Sequence, residues 1–374
     1  MELIDLSVRD FRNLSSQRFE FYGATNAILG ANGAGKTSLL EAMVVLGNLR
    51  SFRTTSLRRA VSHNENSFRL VGTVSTGGRT HRLEQVVEMG SPVARTLRVD
   101  GVTEDVERYL QLFPVFAITA QDRELVAGGP EGRRSLLDRF VFLMQPTHFD
   151  QLRSYRRLLR QRNAALVGRS SDAEIEAWEA PLATAAAAVI EAREKGAAIL
   201  AERFEEVWKE LSRGDLSKIT IEYRSEAWSR PSEGVKKVED LYRQRYNETR
   251  MRDRQMGFTV DGPHRHDLSL KTAGRGVRYV LSSGQTKGVA AALRLASLAQ
   301  VERERNERFP VIVDDVDAEL DDAALTLLVQ HLGNERQLFL SSTSERVAEL
   351  AGPRGRCIRL ENGTQVPQEA ITDD

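Results

Sequence analysis

A single cysteine, Cys357, stands among 374 residues. That excludes an intramolecular disulfide framework and any cysteine-rich zinc site. Neither sign of charge prevails, with 53 basic residues against 53 acidic ones. The whole molecule therefore exerts no net pull on nucleic acid, and any affinity for it must come from local patches. No window of 18 or more apolar residues occurs, and the start, Met1-Glu2-Leu3-Ile4-Asp5, lacks a basic region followed by an apolar stretch. This argues against membrane insertion and secretion, and a cytosolic protein is expected. The alanine-rich run Ala183–Ala188 is short, is followed by Glu191 and Arg193, and reads as a helix. There is no internal repeat and no low-complexity tract.

What is present is enough apolar material, 41% of residues, for two or three compact units with real cores. Up to about Phe142 the chain is rich in short strand-like runs. Leu3–Val8 and Arg18–Phe21 alternate, and Ser67–Ser75 and His81–Glu88 are two strands joined by a Gly77-Gly78 turn. Val115–Thr119, after Pro114, suits a buried strand. From about Pro146 to Met256 the period changes. Leu152, Tyr155, Leu158 and Leu159 recur at helical spacing, and so do Val189, Ile190, Ala197, Leu200, Phe204 and Val207. Gly168-Arg169-Ser170-Ser171 breaks the two helices, with Asp172 as the N-cap of the second. A strand is expected at Ile219–Tyr223 and a helix over Val238–Met251. After Gly257 the α/β texture returns, with Phe309–Val313 and Leu338–Leu340 as strands buried on both faces.

The clearest chemical signal is Gly30-Ala31-Asn32-Gly33-Ala34-Gly35-Lys36-Thr37, which fits G-x-x-x-x-G-K-[ST]. It follows the apolar stretch Ala27-Ile28-Leu29 and precedes a helix over Ser38–Leu46, the strand–loop–helix context the motif requires. Glycines let the backbone N–H groups turn inward around phosphates, and the helix N-terminus adds partial positive charge. In this reading Lys36 reaches the β- and γ-phosphates, Ser38 continues the cradle, and Thr37 ligates Mg²⁺. At average glycine usage of about 7%, the four fixed positions coincide by chance about once per hundred chains of this length.

A phosphate loop needs an acidic partner for its metal. The apolar run Phe309-Pro310-Val311-Ile312-Val313 ends in Asp314-Asp315, at the strand edge where α/β sheets place ligands. Asp314 would hold Mg²⁺ through water, and Asp315 would orient or deprotonate the attacking water. Alone, such a strand is more often one that ends in solvated acids; the upstream loop tips the reading. About 25 residues earlier lies Leu281-Ser282-Ser283-Gly284-Gln285, followed by an apolar helix from about Val289 to Val301. It resembles the ABC signature L-S-G-G-Q, with Ser283 in place of a glycine. In that superfamily the signature caps the γ-phosphate of a nucleotide bound to a second subunit. Ser282 as donor, Gly284 for close approach, Gln285 and the helix dipole suit that task. Ala318-Glu319-Leu320-Asp321 is similar to the D-loop of the superfamily. Where most ABC proteins carry a switch histidine, this chain has Ser341-Ser342-Thr343, hydroxyls that can bond phosphate but carry no charge, so slow turnover is expected.

Further segments point to one family. Phe11-Arg12-Asn13 near the N-terminus, Thr37-Ser38-Leu39-Leu40-Glu41-Ala42, Gly129-Pro130-Glu131-Gly132-Arg133-Arg134-Ser135-Leu136-Leu137-Asp138, Gln161-Arg162-Asn163-Ala164-Ala165-Leu166, Trp178-Glu179 and Gly262-Pro263-His264-Arg265-His266-Asp267-Leu268 resemble the RecF family over nearly the whole chain. Thr37 to Leu281 spans about 240 residues, which leaves room for a short helical hairpin and none for the long coiled coil of SMC proteins. The resemblance implies an α/β fold: an ABC/SMC-head-like P-loop ATPase with an inserted helical lobe. Residues 1–145 would form the N-terminal part of the ATPase lobe, 146–256 the helical insert and 257–374 the C-terminal part.

The resemblance also implies ATP and Mg²⁺ as cofactors and an ATP-dependent homodimer that binds double-stranded and gapped DNA. The implied partners are RecR, with RecO, in loading RecA. Slow hydrolysis would release DNA, and the place of action would be cytoplasmic, at the nucleoid. It adds Arg12, Asn13, Asp321 and Thr343 to the nucleotide-binding residues. Gln121 is a candidate for the glutamine that senses Mg²⁺ at the lobe boundary, although a polar surface residue reads equally well. Candidate DNA contacts are Arg153, Arg156, Arg157, Arg160 and Arg162, and Arg243, Arg245, Arg250, Arg252 and Arg254; several share one helix face, and a solvated face paired with acids is the equal alternative. His264 and His266 suit a structural or nucleotide-edge role better than zinc. Rival readings are a RecF-like ATPase of another system and a transporter-type subunit, the second disfavoured by Ser341–Thr343.

Overall fold

The computed structural model describes residues 1–168, 170–212, 218–224, 235–319, 329, 332–333, 335–352 and 354–367. The chain forms two compact units: Met1–Asp122 with Asn306–Asp374, and Arg123–Arg305.

The first unit holds two six-stranded sheets. One follows the order β2-β1-β4-β5-β6-β7, with β1 at Glu2–Arg9, β2 at Gln17–Glu20, β4 at Ser67–Thr76, β5 at Arg79–Glu88, β6 at Ala94–Val99 and β7 at Val102–Thr103. All its pairs are antiparallel. The expected β4–β5 hairpin turns at Gly77 and Gly78, both with positive φ. The other sheet follows the order β15-β14-β3-β13-β12-β8, with β3 at Thr25–Leu29, β8 at Phe116–Ile118, β12 at Val311–Val313, β13 at Leu338–Ser342, β14 at Arg356–Glu361 and β15 at Thr364–Val366. Five of these strands run parallel and β15 closes the edge antiparallel. β3, β12 and β13 are buried throughout, as continuous apolar runs require in a sheet covered on both faces. Helix α1, Lys36–Asn48, is buried along most of its length. Helix α2 spans Val106–Leu112.

The second unit is mainly helical: α3 at Arg123–Ala127, α4 at Pro130–Met144, α5 at His148–Val167, α6 at Asp172–Leu211, α7 at Val235–Met256 and α8 at Ser283–Arg305. A small sheet, β9 (Ile219–Arg224), β10 (Asp267–Thr272) and β11 (Arg275–Gly276), accompanies them. The α5–α6 hairpin is present, but Ser171 rather than Asp172 is the N-cap, in a capping box with Glu174. The division differs from the one expected at 145/146 and 256/257. Helices α4 and α8 pack on α6, and α3 packs on α4 and α8, so the boundaries fall at 122/123 and 305/306, and the Ser282–Gln285 segment groups with the helical unit. No helix among the described residues is long and apolar enough to cross a membrane.

Candidate nucleotide site

Three adjacent parallel strands deliver the site to one edge of the sheet. β13 lies between β3 and β12, with Ser342 opposite Leu29 and Leu340 opposite Val313. Asp314 therefore emerges level with Ser341, and Gly30 follows two positions further along the same edge. Gly30, Gly33 and Gly35 have φ of 153°, 81° and 108°, values that L side chains rarely adopt. A Cβ at Gly30 would stand 2.4 Å from the Leu360 carbonyl oxygen, so the loop lies directly against β14. Helix α1 starts at Gly35 with no side-chain cap, which leaves its first N–H groups available to an anion.

The Lys36 ammonium donates to the carbonyl oxygens of Gly30 at 2.7 Å and Ala31 at 3.0 Å. Its pKa is lowered by burial, against the opposing pull of Asp315, Asp314 and Asp317. Thr37 Oγ1 donates to Asp314 Oδ1 at 3.0 Å, and Ser341 Oγ donates to the same oxygen at 2.7 Å. Burial raises the Asp314 pKa, and these two hydroxyls oppose the rise. A threonine hydroxyl meeting a carboxylate at a strand end is a pair of hard oxygen donors that fits Mg²⁺. Asp315 is exposed, has φ of 54°, and donates its backbone N–H to Ser341 Oγ at 2.7 Å. It lines a cleft of about 470 Å³ together with Arg12, Asn13, Asn32, Lys36, Thr37 and Ser38.

Asn13 and Ser38 tie the N-terminal turn to the loop. Asn13 Nδ2 donates to the Gly33 carbonyl oxygen at 2.9 Å, and Ser38 Oγ donates to Asn13 Oδ1 at 2.7 Å. Arg12 sits beside them on Glu41. Thr343 is exposed but engaged: its backbone N–H and hydroxyl both donate to Asp317 Oδ2, at 2.9 and 3.3 Å. Gln121 is exposed on the turn Ala120–Asp122 past β8 and does not line the cleft. Asp321 lies outside the described residues. Ser282 and Gln285 begin α8 in the other unit with a reciprocal pair: Ser282 N–H donates to Gln285 Oε1 at 2.9 Å, and Gln285 N–H to Ser282 Oγ at 3.3 Å. The spacing that resembles a signature is thus also a working helix cap. Gly284 is exposed, with open space where a Cβ would be.

Reading the sequence missed Glu41, Arg53 and Arg59 as parts of the site. Arg53 and Arg59 line the cleft, but no motif spacing marks them, because the loop that carries them is brought in by tertiary contacts. Ser341 was singled out only with its neighbours, and its bond to Asp314 follows from strand register.

In the helical unit several expected contacts are corrected. Arg162 is fully buried; it donates to Asp253 at 2.6 Å, Thr259 Oγ1 at 2.8 Å and Glu179 at 3.0 Å, so it cannot face DNA. Arg250 is held by Glu179, Arg245 by Asp261 and Arg254 by Asp172. Arg153, Arg156, Arg157 and Arg160 are exposed, with Arg156 3.7 Å from Asp138. Among the described residues, His264 and His266 belong to no group of three or more His, Cys, Asp or Glu side chains that could hold a metal ion. Tyr155 and the Thr259 carbonyl bracket His264, and Tyr223 and Tyr242 bracket His266. Burial pushes their pKa values down to about 4 and about 3, so both are neutral struts of the core. Arg133 joins the same framework through a two-bond pair with Asp267 at 2.8 Å.

Known proteins resemble this chain over nearly its whole length. The model of the RecF/RecN/SMC N-terminal domain family matches residues 2–365. The DNA replication and repair protein RecF of Pectobacterium atrosepticum is 32% identical over 97% of this chain and 98% of its own, and that of Anaeromyxobacter is 33% identical over 98% and 99%. A solved structure of the recombination mediator protein RecF-ATP in the RecFOR pathway superposes with a TM-score of 0.88 at 26% identity, covering 98% of each chain. An SmcHead bound to the C-winged helix domain of ScpA, at 14% identity and a TM-score of 0.52, shares the fold. With near-complete coverage in both directions and an ABC/SMC-type P-loop architecture, the chain belongs to the RecF family.

Proposed function

We propose that the protein is an ATP-dependent DNA-binding switch of recombinational gap repair. The observation that carries the nucleotide part is the meeting of Lys36, Thr37, Asp314 and Ser341 at the ends of β3, β12 and β13. ATP is the nucleotide, as in the RecF-ATP relative. The Gly30–Gly35 backbone and Lys36 cradle its phosphates, with Arg12, Asn13 and Ser38 along the rim. Thr37 and Asp314 hold Mg²⁺, which supplies neutralisation of phosphate charge. Asp315 orients the attacking water, while Gln121, exposed on the turn past β8 and off the cleft lining, has no part in the site as it stands.

Two copies close around two nucleotides, with Ser282, Gly284 and Gln285 of one copy capping the γ-phosphate held by the other and Asp321 and Thr343 near the seam. ATP binding energy is then shared between subunits, and the dimer lasts only while the γ-phosphate does. Turnover is slow, since Thr343 supplies no positive charge. Duplex and gapped DNA bind the dimer, and RecR with RecO are the protein partners, on the ground of the family alone. The test is sedimentation with gapped DNA, with and without ATP–Mg²⁺, for the parent, Lys36→Met and Ser282→Arg. An ATP-driven DNA-bound dimer that both variants lose is the expected result. ATP binding with neither dimer nor DNA complex removes the repair reading and leaves a nucleotide site alone.

A further inference from the structure

Behind the cationic wall of the cleft stands a buried carboxylate. Glu41, on the second turn of α1, has no exposed surface. It accepts from Arg12 Nε at 2.9 Å and Arg12 Nη2 at 2.7 Å, from Ser51 Oγ at 2.5 Å and from Arg53 Nη1 at 3.4 Å. An isolated buried carboxylate is strongly disfavoured, so such a cluster persists because its charge is fully answered.

The cluster reaches further. Arg12 Nη1 donates to the Arg59 carbonyl oxygen at 2.5 Å, Arg12 N–H to the Ala60 carbonyl oxygen at 2.8 Å, and Ser62 Oγ to the Arg12 carbonyl oxygen at 2.7 Å. Ser51 Oγ also accepts the backbone N–H groups of Arg53 and Thr54, at 2.8 and 3.0 Å. Residues 51–62 and the Arg12 turn thus hang from one point on the helix that begins with Lys36 and Thr37. Arg12, Arg53 and Arg59 all line the cleft. A guanidinium has five N–H donors. Arg12 uses three and Arg53 one in these side-chain bonds, so both keep donors for an anion.

We propose that Glu41 is a positioning residue of the nucleotide site: it holds Arg12 and Arg53 at a fixed offset from Lys36, with their free N–H groups toward the bound phosphates. The inference rests on the nucleotide reading above. Glu41→Gln removes the charge and turns an amide donor toward two cations, while Glu41→Asp keeps the charge one methylene short.

The experiment measures ATP affinity in Mg²⁺ by equilibrium titration of a fluorescent ATP analogue, together with kcat, KM and the nucleotide-free melting midpoint. The full chain is compared with Glu41→Gln, Glu41→Asp, Arg53→Ala and the Glu41→Gln/Arg53→Ala double variant. Glu41→Gln should weaken binding about tenfold, the loss of one charge-assisted arrangement, raising KM with kcat within about twofold. Glu41→Asp should recover part of the loss. The double variant should bind about as well as Glu41→Gln alone, because Glu41 acts through the arginines. Parental affinity in Glu41→Gln, or additive losses in the double variant, overturns the proposal. If Glu41→Gln shows no cooperative melt, Ser51→Ala decides: it should weaken binding about threefold by removing one hydrogen bond, and parental affinity there overturns the proposal. A parent that binds no ATP removes the nucleotide reading and this inference together; a parent that binds ATP beside an unaffected variant removes this inference alone.

Discussion

Arg162 illustrates how one residue changes meaning between sequence and structure. In sequence it extends a row of arginines that suits DNA phosphates. In the fold its guanidinium is closed off from solvent between Glu179, Asp253 and Thr259, 5.2 Å above the Tyr246 ring. Asn163 beside it accepts both the backbone N–H and the hydroxyl of Thr259, at 2.9 and 2.7 Å. The Gln161–Leu166 and Trp178-Glu179 segments therefore meet in one buried ionic joint, completed by Asp253 and Thr259. Removing one partner of such a joint strands the other charges. Arg162→Ala should destabilise the protein by about 3–5 kcal/mol, read as a lower urea midpoint. A midpoint within experimental scatter of the parent's would mean that the joint contributes nothing. Asp138 belongs to a second joint: burial raises its pKa, but Arg193 and His148 outweigh burial and hold it below the ordinary carboxylate range. Arg193 is bound by both oxygens of Asp138 and in turn donates to the Pro263 carbonyl oxygen. This links the Arg133–Asp138 segment to the Gly262–Leu268 segment, so two of the stretches that carry the resemblance are contact partners in the core.

At the scale of elements, the β14–β15 hairpin has the clearest consequence for the site. Its two-residue turn, Asn362-Gly363, has φ of 47° and 79°, the doubly positive pattern of tight hairpins. Gly363 N–H donates to the Ala34 carbonyl oxygen at 2.9 Å, its carbonyl accepts from Ser15 N–H at 3.0 Å, and a Cβ there would fall 1.8 Å from the Asn13 carbonyl oxygen. The hairpin turn is thus wedged between the phosphate loop and the Asn13 turn. Gly363→Ala combines an unfavourable φ with a backbone clash, which should cost about 2–4 kcal/mol and weaken ATP binding by displacing Asn13 from Gly33. Calorimetric melting and nucleotide titration of the variant check both effects; a stable variant of parental affinity would show that the loop does not lean on the hairpin.

At the scale of the molecule, the balanced charge leaves the DNA binding proposed above to a local face. Arg153, Arg157 and Arg160 are exposed on α5 without an acidic partner among the described residues, and their spacings of four and three place them together. Arg157→Ala/Arg160→Ala should weaken duplex binding for all sequences alike and reduce the slope of log affinity against log salt by about two, close to one per lost phosphate contact. An unchanged slope would move the DNA contact off this face. Parent and variant are compared at the same saturating ATP–Mg²⁺, so that a changed slope reads the surface and not the switch.

The phosphate loop, the double-aspartate strand and the serine–glutamine segment were legible in the sequence because each is local: a few consecutive residues carry both the turn geometry and the chemistry. So were β1, the β4–β5 hairpin, β9, the buried strands and the helical hairpin, whose periods reflect the faces they bury. The sequence by itself determined where the phosphate-loop and double-aspartate segments fall and the family to which the chain belongs. Tertiary structure alone decided which arginines face solvent and which neutralise buried acids, since helical periodicity is blind to acids some 17 to 91 residues away. It decided that Ser341 bonds Asp314, because strand register is set by neighbours distant in sequence. It also decided that Glu41, a plain helix residue by pattern, anchors the cationic side of the cleft, because a buried carboxylate is meaningful only through the charges that the rest of the chain brings to it.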